Sequence, residues 1–212
     1  MPRAVLFCNG EIRDYAYHRS LLREDDVVIA VDGGGEHCAE LGILPAVAIG
    51  DFDSLSEKTR AAFEKNGVEA VAFPADKDYI DMILGIEEAK KRGLEEILIL
   101  GALGGRRVDM LLANVLALGE YGDGIRIENE WSCISFLRAG REYGIRGSVG
   151  DYVSLIPCSD QLITGESSGL KYPLAGLRFH RGETRSISNE LTEETGMLRI
   201  KSGNALLVVQ KR

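Results

Sequence analysis

The chain has 212 residues, 45% of them hydrophobic and 27% charged, which is ordinary for a globular protein with one large domain or two small ones. Its formal net charge of −8 argues against a nucleic acid or an anionic membrane as a partner, because both need a basic surface. Four cysteines without CxxC spacing and three scattered histidines argue against zinc sites, and we expect reduced, mostly buried thiols. We see no signal peptide and no run of transmembrane length, so we expect a cytoplasmic protein.

Short apolar runs alternate with helix-like segments in the first half of the chain. The runs are continuously apolar, as in strands buried on both faces of a parallel sheet, and they cover residues 4–8, 27–31, 46–49, 70–73 and 97–100. Amphipathic segments predict helices over 57–66 and 79–92, with Ser56 and Asp78 as N-caps and Gly67 and Gly93 as stops. The alternation predicts an α/β domain with a mostly parallel, doubly wound sheet.

Glycines and aspartates follow the ends of these predicted strands. They occur in the segments 9–10, 32–35, 50–51, 74–76 and 101–105. In open parallel sheets, ligands bind at the carboxyl ends of the strands. Glycines there let the backbone approach a phosphate closely, and aspartates can hold a metal ion.

Two acidic segments stand out at this predicted edge. Asp51 and Asp53 follow the third apolar run, and a second cluster comprises Asp76, Asp78 and Asp81. If the fold brings them together, their charges repel unless a cation lies between them, and Mg²⁺ often takes carboxylates together with substrate phosphates. The sequence therefore indicates a metal–phosphate site. The competing interpretations are a solvated turn at 51–53 and acids that complement a helix dipole at 76–81.

A glycine-rich segment, residues 101–105, precedes Arg106 and Arg107. A glycine turn after a strand, followed by arginine, suits phosphate binding because the guanidinium group is a planar, always-charged, bidentate donor. The segment is not a Walker A motif, since no Gly-Lys-Ser/Thr sequence follows.

The pattern changes after about residue 122, where helical periodicity fades and short strand candidates appear between glycines. They cover residues 124–130, 133–137, 151–156, 176–180, 198–201 and 205–210, with a hairpin turn at 202–204. We predict an all-β sandwich domain over residues 124–212, after an α/β domain over residues 1–123.

Together, these segments resemble the thiamin pyrophosphokinase (thiamine diphosphokinase) family, in order and across essentially the whole chain. The similarity includes the motifs Gly50-Asp51-Phe52-Asp53-Ser54, Asp76-Lys77-Asp78-Tyr79-Ile80-Asp81, Gly169-Leu170-Lys171-Tyr172-Pro173-Leu174 and Ser188-Asn189-Glu190. The resemblance implies a homodimer whose chains each have an N-terminal ATP- and Mg-binding catalytic domain and a C-terminal thiamine-binding sandwich. It implies transfer of pyrophosphate from Mg-ATP to thiamine, giving thiamine diphosphate and AMP.

The resemblance also implies roles for individual residues. Its catalytic set consists of Asp51, Asp53, Asp81, Arg107 and Asp109. The first three of these aspartates would bind Mg²⁺. The nucleotide would contact Asp32, Gly33, Asp76, Asp78, Gly104, Arg106 and Arg107. The thiamine pocket would include Ser188 and Asn189, with Tyr172 stacking on thiamine from the partner subunit.

Two positions depart from the family pattern. Ile80 stands where the family usually has threonine, and Met110 stands where it usually has histidine. Both positions adjoin predicted catalytic aspartates, so two alternatives stay open. One is a diverged relative that uses a different small-alcohol acceptor. The other is a non-catalytic thiamine-binding protein. Either Asp81 or Asp109 could accept the alcohol proton.

Overall fold

The structure is a computed structural model that describes residues 2–73 and 79–212, and the predicted residues Asp76 and Asp78 lie outside this range. The chain folds into two compact units, with the first ending at Glu130 and the second covering Trp131–Arg212. The predicted division, after residue 123, lies before this boundary, because the segment that follows residue 123 belongs to the first unit. This segment forms a strand that pairs in parallel with residues 97–99 of the first unit.

The first unit contains parallel strands in the order β6-β5-β1-β2-β3-β4. These strands are β1 (Ala4–Phe7), β2 (Val27–Val31), β3 (Val47–Gly50), β4 (Glu69–Ala72), β5 (Ile97–Leu100) and β6 (Ile125–Glu128). The helices between them are α1 (Tyr15–Ser20), α2 (Gly34–Glu40), α3 (Glu57–Lys65), α4 (Asp81–Lys91) and α5 (Val108–Tyr121). From β1 the chain proceeds outwards to β4 and then returns to the other side of β1.

Helices cover both faces of this sheet, which confirms the predicted doubly wound α/β fold. Cys38 of α2 and Phe63 of α3 share an apolar core with alternate residues of β1, β2, β3 and β5. Helix α4 packs on the opposite face so closely that a Cβ atom on Gly85 would lie 2.7 Å from Val31 and 2.8 Å from Leu6. The two faces together bury β1 and β5 completely, as their continuously apolar sequences predicted.

Strand β4 differs from the prediction of a strand buried on both faces. Residues 69, 70 and 72 are exposed, because β4 is the last strand on its side of the sheet. An edge strand has a neighbour on one side only and is often less covered by helices.

The second unit is a β-sandwich, as predicted. One antiparallel sheet has the order β12-β9-β14-β7, formed by β7 (Ser132–Leu137), β9 (Tyr152–Pro157), β12 (Asn189–Glu190) and β14 (Ala205–Gln210). The other has the order β11-β10-β13-β8, formed by β8 (Arg141–Arg146), β10 (Gln161–Ser168), β11 (Arg178–His180) and β13 (Thr195–Ser202). Inward-facing residues of both sheets, such as Leu155 and Leu198, form a shared apolar core.

Some elements lie where no element was predicted. Strands β8 and β10 carry many polar residues, and α2 begins with two glycines, which are poor helix formers. The structure also corrects the start of α4: its N-cap is Ile80, whereas Asp78 was predicted there. Within the described residues, no helix has the length and hydropathy needed to cross a bilayer.

Candidate functional site

A cleft of about 330 Å³ lies at the carboxyl edge of the parallel sheet of the first unit. Its walls come from the segments after β1, β2 and β5 and from the starts of α4 and α5. Among the predicted nucleotide-binding residues, it is lined by Asp32, Gly104, Arg106 and Arg107. The chain reverses its direction of winding at β1, and this is the position where open α/β sheets bind ligands.

Two glycines allow the loops that form this cleft to meet. Gly10 follows β1, and its N–H donates to the carbonyl of Gly101, which follows β5, at 2.7 Å. A Cβ atom on Gly10 would lie 2.3 Å from the Gly101 oxygen, and one on Gly101 would lie 2.4 Å from the Cys8 oxygen. A side chain at either position would force the loops apart, so the sequence must have glycine there.

The predicted acidic site is assembled from three carboxylates. Asp32 follows β2, and Asp51 and Asp53 follow the neighbouring strand β3; one carboxylate oxygen of each lies within 4.8 Å of the other two. Ser54 joins the two loops, since its hydroxyl lies 3.2 Å from Asp32 Oδ2 and 3.0 Å from Asp53 Oδ1. Phe52, between the two aspartates, has a φ of +63° and packs against the apolar core. A hydrophobic anchor therefore holds a backbone conformation that non-glycine residues rarely adopt.

The electrostatics of Asp32 suit a cation. Its Oδ1 atom is buried and has no hydrogen-bond partner among the residues that the structure describes. Burial raises the pKa of Asp32 above its ordinary value, and the nearby charges of Asp81 and Asp51 add to this increase. Three clustered carboxylates with an unsatisfied buried oxygen fit a hard divalent cation, which would neutralise their repulsion.

Asp81 is the first residue of α4 and lines the cleft. Its charge raises the pKa of Asp32 and contributes to the pKa of about 12 for the Cys8 thiol, for which burial is the larger cause. Asp81 therefore lies on the cleft side of the acidic cluster. The structure brings four of the predicted acids to one edge, although Asp81 is outside the group of three whose carboxylate oxygens lie within 4.8 Å of one another.

Arg107 and Asp109 form an exposed ion pair at the start of α5, with 2.6 Å between Nη2 and Oδ2. This hydrogen bond from Arg107 lowers the pKa of Asp109 to about 2. Arg106 and Arg107 both line the cleft, and guanidinium groups are suitable hydrogen-bond donors for a phosphate.

The predicted thiamine residues lie in the second unit, and Asn189 connects two of its segments. The buried Asn189 side chain accepts a hydrogen bond from Tyr172 N at 3.0 Å and donates one to Tyr172 O at 2.7 Å. Tyr172 as a whole residue is 57% exposed. Ser188 is exposed with a φ of +60°, and its N–H donates to Ser154 Oγ. Tyr172 and Ser188 are thus exposed, whereas the amide of Asn189 is engaged in holding the backbone at residue 172.

The cleft also contains residues that were not predicted as site residues. Asn9 and Glu11 come from the loop after β1, and Met110 and Asn114 come from α5. The Asn114 Nδ2 atom donates to the carbonyl of Ala102, which secures the glycine-rich turn. The spacing of Asn114 from Arg107 is a signal that could have identified it, since Arg107 is the N-cap of α5 and seven residues are about two helical turns.

Comparisons with known proteins agree with this geometry. The chain matches the family profiles described as thiamin pyrophosphokinase, catalytic domain, over residues 18–128, and thiamin pyrophosphokinase, vitamin B1 binding domain, over residues 142–207. A thiamine pyrophosphokinase of Bacillus subtilis (strain 168) is 32% identical over 189 residues, and the match covers 87% of each chain.

Solved structures extend the similarity to the whole chain. The crystal structure of thiamine pyrophosphokinase from Bacillus subtilis has a TM-score of 0.85 at 29% identity and covers 100% of this chain and 99% of its own. The structure of the Geobacillus thermodenitrificans protein also has a TM-score of 0.85, at 28% identity, and covers 100% of this chain and 98% of its own. With both domain profiles in order and a relative above 30% identity, the chain belongs to the thiamin pyrophosphokinase family.

Proposed function

We propose that this enzyme transfers the pyrophosphoryl group of ATP to the hydroxyl group of thiamine, giving thiamine diphosphate and AMP, with Mg²⁺ bound at the acidic cluster. The observation that supports this proposal most strongly is the position of the cluster of Asp32, Asp51 and Asp53 beside a cleft that contains two arginines. Carboxylates on one side and guanidinium groups on the other suit a polyphosphate that carries a divalent cation.

In the proposed reaction, the hydroxyl oxygen of thiamine attacks the β-phosphorus of ATP. The bond from this phosphorus to the oxygen bridging to the α-phosphate breaks, and AMP leaves with that oxygen. Mg²⁺ would neutralise charge on the phosphate oxygens, held by Asp51, Asp53 and Asp81 with Asp32 beside them. Arg106 and Arg107 would bind the phosphates at the glycine-rich turn, where Gly104 lets the backbone approach.

The proton of the hydroxyl group needs an acceptor. Asp109 is a weak base, because its pairing with Arg107 lowers its pKa to about 2. We therefore assign Asp109 the task of orienting Arg107. We assign Asp81, which lines the cleft, the task of accepting the proton on the carboxylate oxygen that does not hold Mg²⁺. Tyr172 and Ser188 would contact thiamine, with the cationic thiazolium ring stacked on the tyrosine.

We also propose a homodimer, in which Tyr172 of the partner subunit would contact the thiamine bound to this chain. An apolar stripe on α5 supports the proposal. Val108 is 65% exposed, Leu112 54% and Leu116 65%, and their spacing of four residues places them on one face. Light scattering should give the mass of a dimer, and Leu112→Glu together with Leu116→Glu should give a monomer.

Because ATP is the donor, we place the enzyme in the cytoplasm.

The experiment that tests the proposed function is incubation of the protein with ATP, MgCl₂ and thiamine, followed by separation of the products. We expect thiamine diphosphate and AMP in equal amounts, and formation of ADP would contradict pyrophosphoryl transfer. Asp51→Asn and Asp53→Asn should each lower kcat/KM by at least about 100-fold. Asp25→Asn, at an exposed turn residue before β2, is the matched control and should leave the rate unchanged. An acceptor preferred over thiamine in the same assay would overturn the assignment of the substrate.

A further inference from the structure

Two adjacent residues of α2, Glu36 and His37, contact the two loops that form the site, although neither has a part in the proposed chemistry. We propose that they are positioning residues. Glu36 holds the loop of residues 51–56, which carries Asp51 and Asp53, and His37 holds the loop after β1, which forms one wall of the nucleotide cleft. This inference rests on the proposed function, because it assigns the two loops to the metal and to the nucleotide.

Glu36 fixes the end of the metal-binding loop at the start of α3. The N–H of Ser56 donates to Glu36 Oε1 at 2.6 Å, and the hydroxyl of the buried Thr59 donates to Oε2 at 2.9 Å. Ser56 is also the N-cap of α3, accepting from Thr59 N. Both carboxylate oxygens of Glu36 are therefore used on the segment that directly follows Asp53.

The charge of Glu36 makes this attachment strong. Burial raises its pKa, but the hydrogen bonds from Ser56 and Thr59 outweigh that effect and lower the pKa below its ordinary value. The group is thus ionised at neutral pH, and hydrogen bonds to ionised groups are shorter and roughly twice as strong as neutral ones. The loop also packs against α2, because a Cβ atom on Gly35 would lie 2.6 Å from Leu55.

His37 contacts the loop on the other side. Its Nε2 atom lies 2.8 Å from the carbonyl oxygen of Gly10, and its Nδ1 atom lies 2.7 Å from the hydroxyl of Tyr15. A carbonyl oxygen can only accept, so Nε2 carries the proton and donates to Gly10. In the neutral ring Nδ1 then accepts from the Tyr15 hydroxyl, and the chain Tyr15–His37–Gly10 has a definite direction.

The contact with Gly10 matters because this residue has no room to move. Gly10 donates its N–H to Gly101 and lies too close to Gly101 to carry a side chain. The imidazole of His37 holds the carbonyl of the same residue from the other side. Loss of His37 would therefore free a wall of the cleft, and a shift of about 1 Å at reacting groups can cost about 100-fold in rate.

A single short helix thus fixes both loops. Successive residues of an α-helix point about 100° apart, so Glu36 and His37 can reach different loops from adjacent positions. The arrangement sets the distance between the carboxylates and the cleft independently of the substrates. Loss of the Glu36 contact should therefore change the dependence of the rate on Mg²⁺ concentration. Loss of the His37 contact should change its dependence on ATP concentration.

The test is a pair of substitutions in the full-length protein, Glu36→Ala and His37→Leu, with Glu40→Ala at an exposed site on the same helix as the matched control. We expect Glu36→Ala to raise the Mg²⁺ concentration for half-maximal rate by about 10- to 100-fold, with a smaller change in KM for ATP. We expect His37→Leu to raise KM for ATP by about 10-fold, with an unchanged Mg²⁺ dependence. The control should match the wild type.

Conservative variants separate positioning from folding. His37→Gln keeps a donor for Gly10 and an acceptor for Tyr15 and should recover most of its loss, whereas Glu36→Gln keeps one of the two acceptors and no charge and should recover only part of its loss. Both variants also decide the matter if the alanine and leucine variants fail to fold. Equal falls in kcat for both residues, without separate shifts in metal or ATP dependence, would overturn the proposal. Calorimetric titration with Mg²⁺ and a non-hydrolysable ATP analogue gives the same two affinities without turnover. An inactive wild type would thus count against the proposed function, while the calorimetric shifts would still decide the roles of Glu36 and His37.

Discussion

Arg107 and Asp109 are joined at the start of α5 by hydrogen bonds from two nitrogen atoms, from Nη2 to Oδ2 at 2.6 Å and from Nε to Oδ1 at 2.9 Å and Oδ2 at 3.2 Å. This two-point contact fixes the plane of the guanidinium group beside the cleft. Both side chains are mostly exposed, at 71% and 64%, so the pair should matter little for folding and much for the orientation of Arg107.

Asp109→Asn should therefore raise KM for ATP and lower kcat/KM by about 10- to 100-fold, with little change in Tm. The asparagine keeps the volume of the aspartate but loses the charge that orients the arginine. Asp160→Asn breaks another exposed ion pair, with Arg181 at 3.1 Å, and serves as a control that should leave kinetics and Tm unchanged. A fall in Tm with unaltered kinetics for Asp109→Asn would show that the pair is structural.

Among the residues that the structure describes, Ile80 provides the N-terminus of α4 with no side-chain cap. The residue has N-cap geometry, with φ −69° and ψ 149°, and it makes no side-chain capping hydrogen bond. The hydroxyl oxygen of threonine, which the family pattern has here, could accept a hydrogen bond from a backbone N–H group of the first turn. Ile80→Thr should therefore be more stable than Ile80→Val, which has the same shape without the hydroxyl, by about 1 kcal/mol.

Chemical unfolding of the two variants of residue 80 measures this difference. Because Asp81 is the first residue of α4, the cap should also steady a predicted metal ligand. We expect the threonine variant to need less Mg²⁺ for half-maximal rate than the valine variant. Equal stabilities would mean that the helix end already has other partners for its N–H groups.

Asn189 should act through Tyr172. Its side chain makes both hydrogen bonds to the backbone of Tyr172. Asn189→Asp replaces the Nδ2 donor with a carboxylate oxygen that repels the Tyr172 carbonyl, so it should loosen the segment that presents the ring. We expect KM for thiamine to rise by about 10-fold, while KM for ATP stays unchanged. Tyr172→Phe keeps the ring and should behave as the wild type, whereas Tyr172→Ala should resemble or exceed Asn189→Asp. A change in the ATP dependence would contradict this assignment.

A buried ion pair lies at the opposite edge of the parallel sheet, before β1 and β2. Arg3 and Asp26 are each 2% exposed at their side chains, with Nε and Oδ1 2.8 Å apart. Removing one partner leaves an uncompensated buried charge, so Arg3→Met should lower the free energy of unfolding by about 3–5 kcal/mol. Adding Asp26→Asn removes the remaining charge and should restore part of the loss. If the double variant is less stable than Arg3→Met alone, the unpaired charge of Asp26 is not the cause of the loss.

The fold was largely predictable where burial dictates composition. Strands β1, β2, β3 and β5 are buried on both faces, and their apolar runs located them to within a residue. Strand β8 was missed because its sequence, Arg-Glu-Tyr-Gly-Ile-Arg, places one buried and one half-buried residue among exposed ones. Strand β6 was predicted as part of the second domain, whereas it pairs in parallel with β5 of the first unit; its alternating sequence, Ile-Arg-Ile-Glu, does not reveal which strand it will pair with.

The candidate site was also predictable only in part from the sequence. Asp51 and Asp53 are two residues apart, so their association was visible in the sequence, whereas the place of Asp32 depends on β2 and β3 being neighbours. The contacts of Glu36 and His37 join residues 20 and 27 positions apart. No local pattern encodes such contacts, because they exist only after the sheet order has placed α2 between two loops.

The pH dependence of stability should report on His37. Burial lowers its pKa below the ordinary value of 6.5, and the charge of His18 lowers it further, whereas the hydrogen bond to Gly10 and the charge of Glu36 raise it. Below pH 6.5 the unfolded chain therefore binds a proton more readily than the folded protein does. The stabilising contribution of the neutral ring is complete above that pH and is lost as the pH falls through the lowered pKa of the folded state.

Between pH 7 and pH 5, the Tm of the wild type should therefore fall further than the Tm of His37→Gln, whose amide does not titrate. The comparison isolates residue 37, because His18, Glu36 and the other titratable groups are present in both proteins. Tyr15→Phe provides a second check. It removes the hydroxyl that donates to Nδ1 but leaves the imidazole in place, so its Tm should keep the steep dependence of the wild type. Parallel Tm curves for the wild type and His37→Gln would mean that the imidazole has the same pKa in the folded and unfolded states.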